Sequence, residues 1–486
     1  GEDCLGQPFE SPYTYFHASI EVDGESLSDV GVRKKGFIGS QSYEKPGFRI
    51  NLDEYVEGAE LFGTDNLTLN NSVQDPSLIR QCLTYGRFRA AGLPAPRCNF
   101  AHVRVNDVDM GIYVHVEPVK RQFLRDHFGN DDGDLYEGTL SDFQDAWYRT
   151  FEPKTDETDT TLTDIVAIKD GLQSSTPVAE LLEAYFDMDN LLSHLAMEQI
   201  TAHWDGYSGS NHNNFYIYDD PSTGLFSFIP WGADGTMSAE AVELPPMAQG
   251  AIGHHMLADD DLAARYEQRV LELLDLTWNE VEVEAEIDRM QALLAGETDI
   301  SGARSAMNEV REYVTDRRAG LEGKLPGKPG ELDSIGCIEE QGFIEATFDA
   351  TWGTLGKEED LTQVGDVDIN IVWEGNKLPF QRAGVGAGWG EDGSPLVVMV
   401  GVMDPSTGAT IIPVVGFDPS AAQTGEPLEF GKTAGGSIYY TDNNMMGNFV
   451  QAGFYGDGSV TFETVGTQDG DAVRGTMSAK ILSWGD

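Results

Sequence analysis

Positive charge is scarce in this chain. Its 486 residues carry 31 Lys and Arg against 82 Asp and Glu, a formal net charge of −51 with a pI near 4.2. Such a field repels polyanions, which disfavours nucleic acid and anionic lipid as partners. Long apolar runs are missing too. Nothing approaches the roughly 20 residues that a membrane helix needs, so no transmembrane segment is expected. There is no signal peptide at Gly1 and no initiating Met, and the expectation is a processed, mature product. Cysteine is limited to Cys4, Cys82, Cys98 and Cys337. No C-x-x-C pair occurs among them, so a zinc site is not expected. Cys82 falls in a predicted helix and Cys98 in the strand after it, while Cys4 and Cys337 flank the long mixed segment between them. The favoured reading is Cys82–Cys98 and Cys4–Cys337 disulfides in a secreted protein, the alternative being four buried free thiols.

What the chain does have is apolar content, 40% of its residues. That is ample for the cores of two or three domains. Its acid excess has two readings: solubility or a saline habitat on one side, calcium binding or capture of a basic partner on the other.

The informative stretch is residues 186–237. Met188, Leu191, Leu192 and Leu195 recur at helical spacing behind a capping Asp187 or Asp189, which predicts a core helix. His203-Trp204-Asp205 then enters a Gly- and Ser-rich loop that reaches Asn213-Asn214. The runs 215–218 and 225–231 read as strands of a hairpin around a Pro221 turn, and Asp234 follows directly. An acid on a loop, an Asn entering a strand and a second acid leaving the next strand is the layout of kinase-type phosphoryl transfer. One carboxylate orients the hydroxyl nucleophile, while the Asn and the last Asp hold magnesium. A polar surface hairpin with solvated carboxylates is the competing reading of the same residues.

The wording of this stretch resembles the spore coat protein H (CotH) family, which is kinase-like in fold and active site. The resemblance rests on Trp204-Asp205-Gly206, on residues 213–218 and on Phe226–Trp231. Lys45–Asp53, Leu67–Asn71, Asp75–Arg80, Ala91–Arg97, Gly111–Tyr113 and Phe151–Thr155 continue it in the family's order. One departure stands out. Where the family often has Pro-Trp-Asp-x-Asp, this chain has Pro230-Trp231-Gly232-Ala233-Asp234. If the first of those acids holds the metal, the chain is a pseudokinase; if the second does, the site is intact.

The resemblance implies an α+β fold: a two-lobed atypical protein-kinase-like domain. Asp205 would orient the nucleophile, and Asn213 or Asn214 with Asp234 would bind Mg²⁺ or Mn²⁺. Arg49 or Lys45, on or beside a small-lobe strand, would hold the ATP phosphates. A kinase presents a helical Glu to that cation; here Arg80-Gln81 stands on the helix expected from Asp75-Pro76-Ser77, so the ion pair is either absent or supplied by Glu117. Glu117–Lys120 resembles the link between lobes. Residues 130–134 partly match a calcium loop, although a solvated turn fits them better. Residues 238–258 read as loop, His254-His255 included, and three amphipathic helices follow.

Residues 325–330 have the composition of a linker. Beyond them, short alternating runs separated by Gly, Asp and Pro turns predict an all-β sandwich or barrel without a constellation of catalytic residues. The expected division is a tail (1–14), a kinase-like domain (15–326), a linker (327–330) and an accessory β domain (331–486). The function expected is that of a secreted or cell-surface protein kinase. It would use ATP with Mg²⁺ or Mn²⁺, calcium being a further candidate, to phosphorylate Ser/Thr hydroxyls of a surface or coat protein. Its partner would be a protein substrate or assembly partner of basic character. The alternative is a catalytically inactive, kinase-like structural component of an extracellular assembly.

Overall fold

The computed structural model describes residues 13–484 except 37–39, 43, 156–157, 210, 239–248, 298–299, 322, 326, 328, 330–331, 333–337, 356, 358–359, 391–392, 420–421, 423, 431–432 and 442–449. Chain proximity separates two compact units; Lys45–Ser334 makes up most of the first and Ile335–Asp486 most of the second.

The first unit opens with β1 (Phe16–Val22), β2 (Glu25–Lys35), β3 (Gly47–Asn51), β4 (Asn66–Asn70), β5 (Cys98–Val105) and β6 (Val108–Val116), which form an antiparallel sheet in the order β1-β2-β3-β4-β6-β5. The β5–β6 turn places Asn106 and Asp107 at φ 49° and 67°, the left-handed pair that a tight hairpin demands. Because strand side chains alternate between faces, Val30, Ile50, Leu67, Leu69 and Tyr113 share one apolar face. Arg33, Lys35, Arg49, Thr68 and Asn70 are thereby placed on the other, as the pairings Arg33↔Arg49↔Thr68 show. Helix α1 (Arg80–Ala90) packs on that polar-lined face, its Cys82, Leu83 and Tyr85 joining Val114 and Val116 in the main core.

The predicted start of α1 needs correction. The helix begins at Arg80, and Asp75 caps it from five residues back: its carboxylate accepts from Arg80 N at 2.9 Å and pairs with the Arg80 guanidinium at 3.1 Å. Pro76 sits in the turn before it. A disulfide joins Cys82 to Cys98 with Cα atoms 5.1 Å apart, fastening α1 to β5. Cys4 and Cys337 lie outside the described residues.

The rest of the unit comprises α2 (Arg121–Phe128), β7 (Asp134–Gly138), β8 (Glu152–Pro153), α3 (Thr163–Leu172), α4 (Val178–Tyr185), α5 (Met188–Thr201), β9 (Phe215–Asp220), β10 (Leu225–Pro230), α6 (Ala251–Ala258), α7 (Asp260–Thr277), α8 (Glu280–Glu297) and α9 (Ala303–Leu321). Strands β10-β9-β7-β8 make a second sheet. Helix α5 is buried from Asn190 to Thr201, and Asp187 caps it by accepting from Asp189 N and Asn190 N. Helix α6, which carries His254 and His255, lies where a loop was expected. Its eight residues are too short for a clear period, yet Ile252, Met256 and Leu257 are buried.

The second unit is all β: β11 (Ile338–Thr351), β12 (Asp366–Trp373), β13 (Asn376–Lys377), β14 (Arg382–Trp389), β15 (Pro395–Asp404), β16 (Ala409–Phe417), β17 (Pro427–Glu429), β18 (Ala434–Thr441), β19 (Val450–Val465) and β20 (Ala472–Trp484). They form one sheet in the order β13-β12-β11-β20-β19-β18-β16-β15-β14, with β17 on β19. It curls until β14 packs over β11 and β12, enclosing a core that includes Phe348, Ile371, Val385, Val397, Phe417 and Phe462. Strand β14 escapes a periodicity reading because it is rich in Gly. A Cβ on Gly384 would stand 2.0 Å from the Leu361 carbonyl, so the close packing of residues 361–363 requires the glycine.

Candidate active site

Helix α5 delivers the acid-bearing loop. It ends at Ala202, in the left-handed region at φ 49°, and the chain turns out through His203-Trp204-Asp205. The loop is anchored from beneath by Glu198, whose carboxylate accepts from Tyr207 N and Ser208 N, both at 2.8 Å, and from Ser208 Oγ at 2.5 Å. Burial alone would raise the Glu198 pKa; His194, 3.2 Å away, and these donors hold it down to about 2. Gly206 is needed there, since a Cβ would fall 2.3 Å from Glu198 Oε1. From the same loop His203 Nε2 donates to the Trp231 carbonyl at 3.0 Å, tying it to the end of β10.

Asp205 accepts from Asn211 Nδ2 at 2.8 Å and from Asn214 Nδ2 at 2.6 Å. Asn214 is left-handed at φ 55°, and its carbonyl accepts from Trp231 N at 2.9 Å. Three residues beyond Trp231, Asp234 lies in the short turn Ala233–Gly235. Burial pushes its carboxyl up to about 6; Asp75 adds to the shift, while Lys35 and His203 oppose it. The turn is secured to α1 by a 2.7 Å hydrogen bond between Thr236 and Thr84.

Lys35, the cation nearest to Asp234 in its electrostatic surroundings, belongs to a group of cations. Lys35, at the end of β2, donates to Asn70 Oδ1. Desolvation lowers its pKa, and its charged neighbours are Asp234, Glu137, Arg49 and Arg33. Arg49 lies within electrostatic reach of Glu137 and Tyr216 as well. Glu137 is half-buried; burial would raise it, but its ion pair with Lys154 carries the balance below the usual carboxylate value. Lys120, in the link, is felt by Arg49 and Lys154. Lys120 and Lys154 also line a cleft of about 430 Å³, with Asp53, Gly58, Thr64, Asp65, Pro118, Arg121 and Arg125.

The structure thus brings Asp205 and Asn214 together, sets Asp234 near Lys35, and places Arg49 among the cations. Three other expected residues stand apart. Lys45 donates to the Ile112 carbonyl at 2.7 Å and lies 5.0 Å over the Tyr113 ring, on the apolar face of the sheet. Glu117 accepts from Arg97 N and Nε, both at 2.9 Å, so its carboxylate serves the start of β5 and not a strand cation. Asn213 reaches the loop by its backbone, donating to the Gly206 carbonyl at 3.4 Å. Residues 130–134 face no common centre: Asn130 donates to Asp220 at 2.9 Å and Asp131 accepts from Arg125 at 2.6 Å. Lys35, Glu137 and Lys154 were missed. Lys35 alternates with Arg33 on a predicted strand, a signal that was present; Glu137 carries no local signature.

The Asp234 carboxylate and the Asn214 amide oxygen are hard oxygen donors of the kind Mg²⁺ takes. The Asp234 carboxylate has no side-chain hydrogen-bond donor among the described residues, and a buried acid pushed upward in pKa is one that a cation would stabilise. Among the same residues no three Asp, Glu, His or Cys side chains converge on a metal position, so Asn214 would have to complete the set. No helix there is long and apolar enough to cross a membrane.

Fold and site together define a kinase-like protein. The chain belongs to the CotH kinase protein family, whose model matches residues 21–317. It is similar to the inner spore coat protein H of Bacillus subtilis (strain 168), 26% identical over 209 residues that cover 40% of this chain and 56% of the relative. The chain therefore spans little more than half of that relative's length. Among solved structures, the Helicobacter pylori proinflammatory kinase CtkA aligns at 10% identity over 59% of this chain and 91% of its own, with a TM-score of 0.30. HipA of the Shewanella oneidensis MR-1 toxin–antitoxin complex aligns at 10% identity over 66% of each chain, with a TM-score of 0.25.

Proposed function

We propose that the first unit is a protein kinase that transfers the ATP γ-phosphoryl group to a Ser or Thr hydroxyl of a protein partner outside the cell. One observation carries this reading: in a chain of net charge −51, Lys35 lies within electrostatic reach of both Asp234 and Arg49, and Arg49 in turn of Lys120, which Lys154 also neighbours. Polyphosphate is the ligand such a cluster favours in an otherwise repelling field. Lys35 and Arg49 would grip the phosphates, and the cleft lined by Pro118 and Lys120 would take the rest of the nucleotide. Asp234 and the Asn214 oxygen would hold Mg²⁺ or Mn²⁺, which when bound neutralises charge on the transferring phosphoryl. Asp205, carried on the Glu198-anchored loop, would accept the proton of the acceptor hydroxyl. Its 2.6 Å bond from Asn214 fixes the carboxylate in place, and such fixed positioning is the chief catalytic resource in this chemistry.

A second reading, a structural component of a coat or surface assembly, is favoured by the name of the spore coat relative. Calorimetry with ATP and Mn²⁺ separates the two. Micromolar to millimolar binding that Asp234→Asn abolishes supports the kinase; no binding by the intact protein favours the structural role.

A further inference from the structure

Kinases usually fix the phosphate-gripping lysine with a helical glutamate. Here α1 offers Gln81, and a second amide stands between it and the lysine. Lys35 Nζ donates to Asn70 Oδ1, Asn70 Nδ2 donates to Gln81 Oε1 at 2.6 Å, and Gln81 Nε2 donates to Tyr85 Oη at 3.3 Å. The direction of this chain is fixed by its first member. An ammonium has only donors to offer, so it must meet the Asn70 oxygen, which turns the Asn70 nitrogen toward Gln81 and the Gln81 nitrogen toward Tyr85. Gln81 is 2% exposed and Tyr85 fully buried, so water does not compete for the relay at that end. The far end meets the metal side of the site, because the Tyr85 oxygen lies against the backbone of Gly232 and Ala233.

We infer that Asn70 and Gln81 are positioning residues that hold Lys35 through neutral amides where other kinases use a carboxylate. The inference rests on the proposed phosphoryl transfer. A carboxylate at this place would neutralise Lys35 and add a further anion near Asp234. The amides constrain the ammonium by dipoles alone and leave its full charge to face phosphate. They also make the lysine's position depend on the docking of α1, since one helix carries Gln81, Tyr85 and the Thr84 bond to the Asp234 turn.

The test is a double-mutant cycle read by ATP–Mn²⁺ calorimetry on the full chain. Asn70→Leu should weaken binding about tenfold, the scale of a hydrogen bond to a charged group, and Gln81→Leu about fivefold, the scale of a neutral one. Gln81→Glu, which keeps the acceptor for Asn70 Nδ2 but brings in the anion that the amides avoid, should recover only part of the loss. In a Lys35→Met background Gln81→Leu should cost nothing more, because it acts through the lysine. Additive losses, or wild-type affinity in both Leu variants, would overturn the relay. A nucleotide-independent arm keeps the two proposals apart. In ¹⁵N-lysine-labelled protein the Lys35 Nζ protons should give a slowly exchanging NMR signal that both Leu variants lose. If the wild type binds no nucleotide, the kinase reading falls and this signal alone decides: its loss in both variants sustains the relay, and its persistence overturns it.

Discussion

A Cβ on Gly232 would stand 2.0 Å from Asn214 Oδ1, so the asparagine amide occupies the space that any side chain at position 232 would need. Gly232 is also left-handed, at φ 44°. The departure from the family's Pro-Trp-Asp-x-Asp wording is therefore matched by the packing: with Gly at 232, Asn214 turns its oxygen to Gly232 and its nitrogen to Asp205. Gly232→Ala should displace Asn214, release Asp205 and lower stability by about 1–3 kcal/mol through backbone strain. Mn²⁺ affinity should fall with it. Gly224→Ala is the control, since Gly224 has φ 68° but open space around its Cα; it should show the strain without the loss of metal. Equal metal affinity in both variants would detach Asn214 from the metal site.

Asp205→Asn and Asp234→Asn should each reduce phosphoryl transfer by several orders of magnitude, since positioning of nucleophile and metal dominates this chemistry. Both are isosteric, and among the described residues neither acid makes a close ion pair whose loss would unfold the protein. A melting temperature near wild type together with lost transfer is the expected pair of results. Full activity in either variant would remove that acid from its assigned role.

Asp234 also predicts a pH dependence. Its folded pKa, about 6, lies above the unfolded value near 4, so between these the native state holds more protons than the unfolded state. Stability must then fall as pH rises through about 4 to 6, and above it the full cost is present, about 3 kcal/mol for a shift of roughly two units. Asp234→Asn should flatten thermal stability across that window, and Mn²⁺ should offset the cost at neutral pH. Glu198 works in the opposite sense: held down to about 2, it stabilises the loop above the ordinary carboxylate range and loses that contribution only as pH falls toward 2. An unchanged stability–pH profile in Asp234→Asn would place the acid in water.

How much of this was legible in the sequence follows from the range of each interaction. Helix α5, its Asp187 cap and the β9–β10 hairpin are local, set by periodicity and turn chemistry within about a dozen residues, and could be read directly. Asp205 with Asn214 is equally local. The cation side was legible only in Arg49, because Lys35, Glu137 and Lys154 come from β2, β7 and the residue after β8, which belong to two different sheets and meet only in the folded unit. Lys45 precedes β3, so strand alternation does not govern its direction, and it turns to the Ile112 carbonyl. Strand β14 was hidden because its glycines serve packing across the sheet instead of periodicity along it.

The Cys82–Cys98 disulfide closes a loop with a sequence separation of 16, worth about 3 kcal/mol in the chain-entropy model. It also fastens α1, which carries Gln81 and Thr84. Reduction, or Cys82→Ala with Cys98→Ala, should lower stability by about that amount and weaken nucleotide binding more than an equally destabilising change in the second unit. Non-reducing peptide mapping should recover Cys82 linked to Cys98, and it also decides the expected Cys4–Cys337 pair. Alkylation of Cys82 and Cys98 in freshly purified protein would contradict the fold at α1.

The last prediction is that the two units fold separately, and the place of the cut matters. The expected linker lay at residues 327–330, but Leu332 is packed against the apolar core of the first unit, and the division of the chain falls between Ser334 and Ile335. A cut at 330 would strip Leu332 from its core and leave it exposed on the other fragment. A fragment beginning at Ile335 keeps β11 whole, and β11 is an interior strand of the sheet: it pairs with β12 along Gly342–Asp349 and with β20 from Ile338 to Thr351. Its buried side chains, Ile344, Phe348 and Trp352 at the strand's end, belong to a core that draws on the second unit's own strands. Residues 335–486 should therefore give a dispersed NMR spectrum and a cooperative thermal transition, while residues 1–334 keep any ATP–Mn²⁺ binding. An unfolded 335–486 fragment would mean that the β sheet needs the first unit as a template, and the two would then count as a single folding unit.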